Sequence, residues 1–494
     1  MSSSSEWGWL ATRREAPLEI ILECRLPVAL GQDGRNRGRG RPRRRRRIAR
    51  RRTGAIETNR RLDAESSDAH PFATSLEPSV EMNASTASAP FDVMVKPIGA
   101  QCNLRCDYCF YLDKAGLYPK KKAADYRMSD ETLENLVRSQ IQSRAFGQRE
   151  VQFAWQGGEP TLMGIPFFKK VVALQRKYAP RDVSILNAFQ TNGVLVTDEF
   201  ARFFREHQFL VGVSVDGPEA MHDRFRRSTS GLGTFKAVME GIDCLNRRQV
   251  EYNLMTVVQS DNGQHPEDVY RFLRSLGSPF IQFIPIVEPD PLSTVSSRSI
   301  GGEEWGAFLN RVFHEWRRSD IGRVYIQHFD MTLGLTLDRP ASLCVHAPQC
   351  GRGLALEHNG DLYSCDHFVD RDHFLGNIST KSLAAMVDSP FQRAFGQNKS
   401  ATLPEACRNC EFLSFCHGGC PKDRLIATDS GKLNWLCSGY LAFYQETAPY
   451  FVAMARALHQ HLPASEYQRF LGVDRPVRPG QRTMDASNQS SPAK

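Results

Sequence analysis

From Phe91 to about Pro291 the chain alternates between two hydrophobic periods. Short, largely apolar runs, FDVMVKP, EVQFAW, SILNAF, FLVGVSVD, EYNLMTVV and FIQFIPIV, have the length and composition of buried strands. Between them lie PFFKKVVALQRKYA, DEFARFFREHQ, TFKAVMEGIDCLNRR and PEDVYRFLRSLG, whose apolar residues recur at three- and four-residue intervals, the spacing of one helical face. Such alternation predicts a parallel sheet wrapped by helices, and six units predict a partial (β/α)6 barrel of the α/β class. After a further helical stretch, EEWGAFLNRVFHEWRRSD, the alternation fades. The expected organisation is an extension over 1–90, a core over 91–330, a cysteine-rich domain over 331–460 and a tail over 461–494.

Charge changes the picture little once it is located. The net charge of +8 is concentrated in residues 35–52, which hold twelve arginines and no acid, so the remainder is mildly acidic. Polyanion binding would therefore belong to that arm, and nucleic acid is not an expected partner of the folded body. Residues 1–90 are rich in Ser, Arg, Gly and Pro and are expected to be disordered, because they cannot bury a core. No run approaches the roughly 18 apolar residues of a membrane span, and PLEIILECRLPVAL is short and charge-interrupted. The expectation is a cytoplasmic protein with no membrane partner. Thirteen cysteines without an export signal point to metal rather than to disulfides.

The short motifs fall at strand ends: CNLRCDYC after the first strand, QGGEP after the second, QTNG after the third and SVDGP after the fourth. That is where a parallel sheet gathers its chemistry. Cys102, Cys106 and Cys109 could hold three irons of a four-iron cluster and leave the fourth iron open. Structural zinc would want a fourth ligand, and neither cysteine nor histidine stands near that loop. Downstream, Cys344, Cys350, Cys365, Cys407, Cys410, Cys416, Cys420 and Cys437 make two sets of four, suited to zinc ribbons or to redox clusters. Cys24 falls in the arm, and Cys244 lies in a helical pattern that predicts a buried thiol. Tyr108 reads as a core aromatic, and Glu288 and Asp290 have no evident role beyond the loop that leaves the sixth strand.

Cys-x3-Cys-x2-Cys followed by an aromatic resembles the radical S-adenosylmethionine superfamily. The resemblance implies that the open iron chelates the methionine moiety and that reductive cleavage yields a 5′-deoxyadenosyl radical. Against that ligand, Gly157 and Gly158 would admit a small zwitterion and Glu159 would accept from its ammonium group. By the same resemblance, Gln156, Ser214, Arg226 and Val287 would line the rest of the pocket. The later cysteine order is similar to the SPASM extension of peptide-modifying radical enzymes. It implies two auxiliary clusters, one on Cys344, Cys350, Cys365 and Cys420, the other on Cys407, Cys410, Cys416 and Cys437, hence three [4Fe-4S] clusters in all.

Over nearly all of 92–455, CNLRCDYCFY, QGGEPTLMG, QTNG, SVDGP, QFIP, CDHFV and CHGGCPKDR resemble the anaerobic sulfatase-maturating enzymes. That family oxidises a cysteine or serine of a sulfatase to Cα-formylglycine: hydrogen leaves Cβ, the thiol or hydroxyl is deprotonated, and a second electron leaves through an auxiliary cluster. The resemblance implies Asp366, beside Cys365, as the base, and Tyr111 and Gln190 as groups facing the substrate. It also implies a sulfatase polypeptide and a low-potential electron donor such as flavodoxin or ferredoxin as partners. The alternative is a SPASM maturase of another peptide, forming a thioether or another oxidised product. Residues 1–90 show no pattern suited to the leader-binding fold such enzymes often carry. A zinc-ribbon nucleic-acid-binding protein would leave QGGEP unexplained.

Overall fold

The computed structural model describes residues 86–119, 122 and 126–472. The arginine run, Cys24 and nearly all of the expected extension lie outside them. In chain order the first part consists of β1 (Asp92–Lys96), α1 (Asp130–Gln142), β2 (Glu150–Trp155), α2 (Ile165–Tyr178), β3 (Ser184–Thr191) and α3 (Asp198–Glu206). It continues with β4 (Leu210–Ser214), α4 (Glu219–Phe225), α5 (Phe235–Arg247), β5 (Tyr252–Val258), α6 (Pro266–Arg274) and β6 (Phe280–Pro285). β1 to β6 lie side by side in chain order, all parallel, as the alternation predicts. Helix α1, which the periodicity reading passed over, starts where Ser129 accepts a hydrogen bond from the Thr132 amide at 3.0 Å.

Each strand sends alternate residues to opposite faces. One face, with Val93, Val95, Phe153, Trp155, Phe189, Val211 and Val213, is buried in the main apolar core. The other face forms a small interior cluster of Met94, Ala154, Ala188 and Met255.

After β6 come a two-stranded hairpin, β7 (Pro289–Asp290) with β8 (Thr294–Val295), then α7 (Gly302–Ser319), β9 (Tyr325–Ile326) and α8 (Gln327–Thr336). Glu288 pins this exit loop by accepting from Ser296 Oγ at 2.6 Å and Arg298 Nε at 3.0 Å, a role no local pattern announces. The sheet then resumes with β10 (Gly353–Glu357), β11 (Asp361–Tyr363) and β12 (Phe374–Asn377). β10 pairs parallel to β1, Asp92 opposite Gly353 and Lys96 opposite Glu357, so one ten-stranded sheet runs across the expected boundary at 330. The cysteine-rich segment is thereby hydrogen-bonded to the open edge of the barrel, with Cys365 just beyond β11.

The chain ends in α9 (Leu383–Val387), α10 (Pro390–Ala401), α11 (Glu405–Arg408), α12 (Leu413–Cys416), the hairpin β13 (Arg424–Thr428) and β14 (Gly431–Asn434), and α13 (Cys437–His459). α13 lies against α7 so closely that a Cβ on Gly439 would sit 2.1 Å from the Gly302 carbonyl oxygen. Within the span expected as a tail, 461–494, the described residues 461–472 are ordered against the fold. Ala464–Phe470 forms a 3-10 turn whose Tyr467 is buried and accepts from Arg317 Nη1 at 3.1 Å. Among the described residues no helix is long and apolar enough to cross a membrane.

Candidate active site

The loop after β1 carries Cys102, Cys106 and Cys109 and is clamped from outside by the loop after α4. Leu104 bridges Ser228, and the Arg105 amide donates to the Arg227 carbonyl at 2.8 Å. Cys102 Sγ accepts from the Leu104 amide at 3.3 Å and from Asn192 Nδ2 at 3.6 Å. Burial pushes the Cys102 thiol up to about 12, with Glu159 adding to the effect, and pushes Cys106 up to about 11 against the opposing pull of Arg226. Three half-buried cysteines on one loop, one of them with two N–H groups aimed at its sulfur, suit iron, which would supply the positive charge that stabilises their thiolates.

Glu159 is 1% exposed, and its carboxylate ties the QGGEP turn to the QTNG turn. Oε1 accepts from the Thr161 amide at 3.0 Å, Thr161 Oγ1 at 2.7 Å and Thr191 Oγ1 at 2.9 Å, while Oε2 accepts from the Asn192 amide at 2.7 Å. Only Oε2 keeps acceptor capacity for a ligand, so most of what this residue does is hold two turns together. The glycines before it allow close packing. At Gly158, with φ of 51°, a Cβ would stand 1.9 Å from the Gln101 carbonyl oxygen, and at Gly157 it would stand 2.2 Å from Lys96 Cδ. Gly158→Ala is expected to cost roughly 1–3 kcal/mol, read as a thermal midpoint lowered by several degrees; an unchanged midpoint would show that the turn can move aside.

Arg226 reaches the same loop from the end of α4. Its Nε donates to Asp216 Oδ2 at 2.9 Å, and its guanidinium lies 5.5 Å from the Tyr108 ring centre. The Tyr108 hydroxyl also donates to Asp216, so Tyr108 is not merely a core aromatic. His222 closes the group, its Nδ1 accepting from the Asp216 amide at 3.4 Å. Burial drives His222 from 6.5 down to about 4. Between those values the unfolded chain binds a proton that the folded chain refuses, so stability present above pH 6.5 is lost as pH falls, by roughly 3 kcal/mol at most. His222→Gln is expected to flatten the fall of the thermal midpoint between pH 6.5 and 4.

Inside the barrel mouth, Lys96, Gln156, Gln190 and Ser214 form a polar layer on β1 to β4 and their exits. Gln190 Nε2 donates to Ser214 Oγ at 3.0 Å, while Gln190 Oε1 and Asn253 Oδ1 are buried without a hydrogen-bond partner among the described residues. Sequence reasoning missed Lys96, which is fully buried. The available signal was a lysine at the carboxyl end of an otherwise apolar strand. Its ammonium donates to Gln156 Oε1 at 3.0 Å, lies 4.5 Å from the Tyr111 ring centre and is ion-paired with Asp366 Oδ1. The Asp366 carboxylate is itself buried, with Lys96 as its cationic partner. Tyr111 turns its hydroxyl away, donating to Glu357 Oε1 at 2.5 Å, and Glu357 Oε2 lies 3.0 Å from His358 Nδ1. The Tyr111 hydroxyl is thus spent within the protein, and its ring is buried. Val287 is buried in the main apolar core. Cys244 is half-buried rather than buried, with Arg247 Nη2 3.1 Å from its sulfur.

Cys344, Cys350, Cys365 and Cys420 line one cavity together with Asp366 and with Met94 of the barrel interior. Cys407 and Cys410 lie on and after α11, Cys416 ends α12 and Cys437 starts α13. Cys437 has Cys407 and Cys410 as electrostatic neighbours, and Cys416 has Cys437 and Cys407. Cys420, four residues past Cys416 in the chain, lines the cavity with Cys344, Cys350 and Cys365 instead of joining the cysteines around Cys437. Lys399 and Arg424, both buried, stand beside these cysteines.

Residues 97–273 match the family model of the radical SAM superfamily, and residues 344–411 match that of an iron–sulfur cluster-binding (SPASM) domain. The chain is 42% identical over 394 residues to a serine-type anaerobic sulfatase-maturating enzyme of Bacteroides thetaiotaomicron, covering 76% of this chain and 94% of that protein. It is 33% identical over 373 residues to a cysteine-type enzyme of Clostridium perfringens, covering 74% and 98%. The solved structure of native anSMEcpe with bound AdoMet and Cp18Cys peptide superposes with a TM-score of 0.67 at 31% identity, covering 74% of this chain and 99% of that one. These relatives are matched along nearly their whole length, through barrel and cysteine-rich segment alike, and the chain belongs to the anaerobic sulfatase-maturating enzymes of the radical S-adenosylmethionine superfamily.

Proposed function

We propose that this protein oxidises a serine or cysteine side chain of a sulfatase-derived peptide to Cα-formylglycine. The observation that carries the reading is the position of Asp366: buried, paired with Lys96 at the barrel mouth, and on the wall of the cavity lined by Cys344, Cys350, Cys365 and Cys420. When bound, the clusters and S-adenosylmethionine supply a radical that takes one hydrogen atom from Cβ and a path that removes one further electron. The chain's own task is to hold the peptide with its Cβ toward the loop of Cys102, Cys106 and Cys109 and to accept the hydroxyl or thiol proton on Asp366. One hydrogen atom, one proton and one electron then account for the two-electron oxidation of CH2–XH to CH=X. Lys96 holds the carboxylate in place. Gln190 and Ser214, with a free acceptor beside them, offer polar contacts to the peptide or to the cofactor, and Arg226 positions the cysteine loop.

On this reading three four-iron clusters are bound, the two auxiliary ones divided as the cavity and the α11–α13 cysteines suggest. A low-potential carrier of the flavodoxin or ferredoxin kind supplies electrons, and residues 91–330 and 331–460 divide the work between radical formation and electron removal. The test is anaerobic turnover of two sulfatase-derived peptides that differ only in Ser or Cys at the target position, read by mass spectrometry. Loss of two hydrogens from the serine peptide, or loss of two hydrogens with replacement of sulfur by oxygen in the cysteine peptide, the sulfur leaving as hydrogen sulfide when water hydrolyses the thioaldehyde, is expected. A crosslinked product with the target sulfur retained would overturn the assignment in favour of another peptide maturase.

A further inference from the structure

Lys399 and Arg424 are 1% and 6% exposed, and each spends its donors on neutral acceptors. Lys399 Nζ donates to the carbonyls of Cys344 at 2.6 Å, Val345 at 2.9 Å and Ala347 at 2.5 Å. Arg424 donates to the Gly418 carbonyl at 3.2 Å, Thr402 Oγ1 at 3.0 Å and the His417 carbonyl at 3.4 Å. Among the described residues neither is ion-paired with a carboxylate. Buried charge without a counter-charge is costly, and such charges in folded proteins are normally paired.

The opposite charge they face is cysteine sulfur, and from both sets. Cys344, Cys350 and Cys420 of the first set and Cys416 of the second are among the titratable neighbours of Lys399, with His346 and His417; Cys407, Cys420, Cys416 and Cys350 are among those of Arg424. The loop Arg424 clamps, His417 to Gly419, joins Cys416 of one set to Cys420 of the other. We propose that Lys399 and Arg424 act as a shared pair of buried counter-charges that raise the reduction potentials of both auxiliary clusters and so favour electron removal from the substrate. They are positioning residues, touching no substrate. The inference rests on the proposed assignment of the eight cysteines as ligands of two clusters. Its physical basis is that cluster potentials follow net charge and surroundings, and a fixed positive charge stabilises the more negative, reduced form.

The experiment is an anaerobic redox titration of the full chain, reconstituted with iron and sulfide and followed by electron paramagnetic resonance. It compares Lys399→Met and Arg424→Met with the charge-keeping Lys399→Arg and Arg424→Lys. Each methionine variant is expected to move at least one auxiliary midpoint negative by about 59 mV or more, a tenfold change in the one-electron equilibrium. The signal of the cluster on Cys102, Cys106 and Cys109 stays in place, and the charge-keeping variants stay near the wild type. Iron lost from the methionine variants but retained by the charge-keeping ones would equally support a need for the charge. Unmoved potentials at full iron content, or equal iron loss in all four variants, would overturn the proposal. Wild-type protein that binds iron for one cluster only would instead overturn the ligand assignment itself, before any variant is measured.

Discussion

Asp366→Asn should leave S-adenosylmethionine cleavage near the wild-type rate while cutting formylglycine formation by about a hundredfold to ten-thousandfold, the usual contribution of a positioned base. The amide keeps the shape of the side chain but cannot take the proton that the hydroxyl or thiol must lose. Lys96 would keep its hydrogen bond to Gln156 and its contact with the Tyr111 ring, so the barrel mouth should stay closed around a filled space. The two readouts separate the steps: 5′-deoxyadenosine reports cofactor cleavage, and the mass of the target peptide reports oxidation. Wild-type product from this variant would remove Asp366 from its role. Loss of both signals together would mean that the substitution had damaged the first loop instead.

Lys96→Met should be more damaging to the fold. Removing one partner of a buried ion pair costs roughly 3–5 kcal/mol, because the other charge is stranded. Here Gln156 Oε1 loses its donor as well, and the methionine cannot replace the contact on the Tyr111 face. A large fall in thermal midpoint is expected, together with loss of formylglycine. A double-mutant cycle tests the cause. Lys96→Met combined with Asp366→Asn removes both charges, and should be less destabilised than the sum of the single variants by an amount well outside the additive range. Strict additivity would show that the two side chains, though adjacent, do not depend on one another. Activity should return in neither case, since the base is absent from one variant and unsupported in the other.

Much of this was legible before any coordinates. Strands β1 to β6 are short apolar runs and α2, α3, α5 and α6 are amphipathic, because periods of two and 3.6 are local properties of a chain. The turns at the strand ends followed from the parallel topology. Glu159 was legible as important, yet its four protein donors were not, since Thr191 and Asn192 arrive from another strand's exit. Tyr111 was legible as a residue of the site, but the carboxylate that takes up its hydroxyl comes from β10.

By itself, then, the sequence determined the alternating elements, the three-cysteine loop placed at a strand's carboxyl end, and a stock of eight further cysteines. Only the tertiary structure decided how those parts meet. Pairing β10 with β1 turns an open barrel edge into a continuous sheet and sets Asp366 against Lys96. The fold also sends Cys420 away from its chain neighbour Cys416 to share a cavity with Cys344, Cys350 and Cys365. The reason is physical: local periodicity follows from each residue's own backbone geometry, whereas strand partners and ion pairs far apart in the chain are selected by burial and hydrogen bonding over the whole fold, which no spacing between residues records.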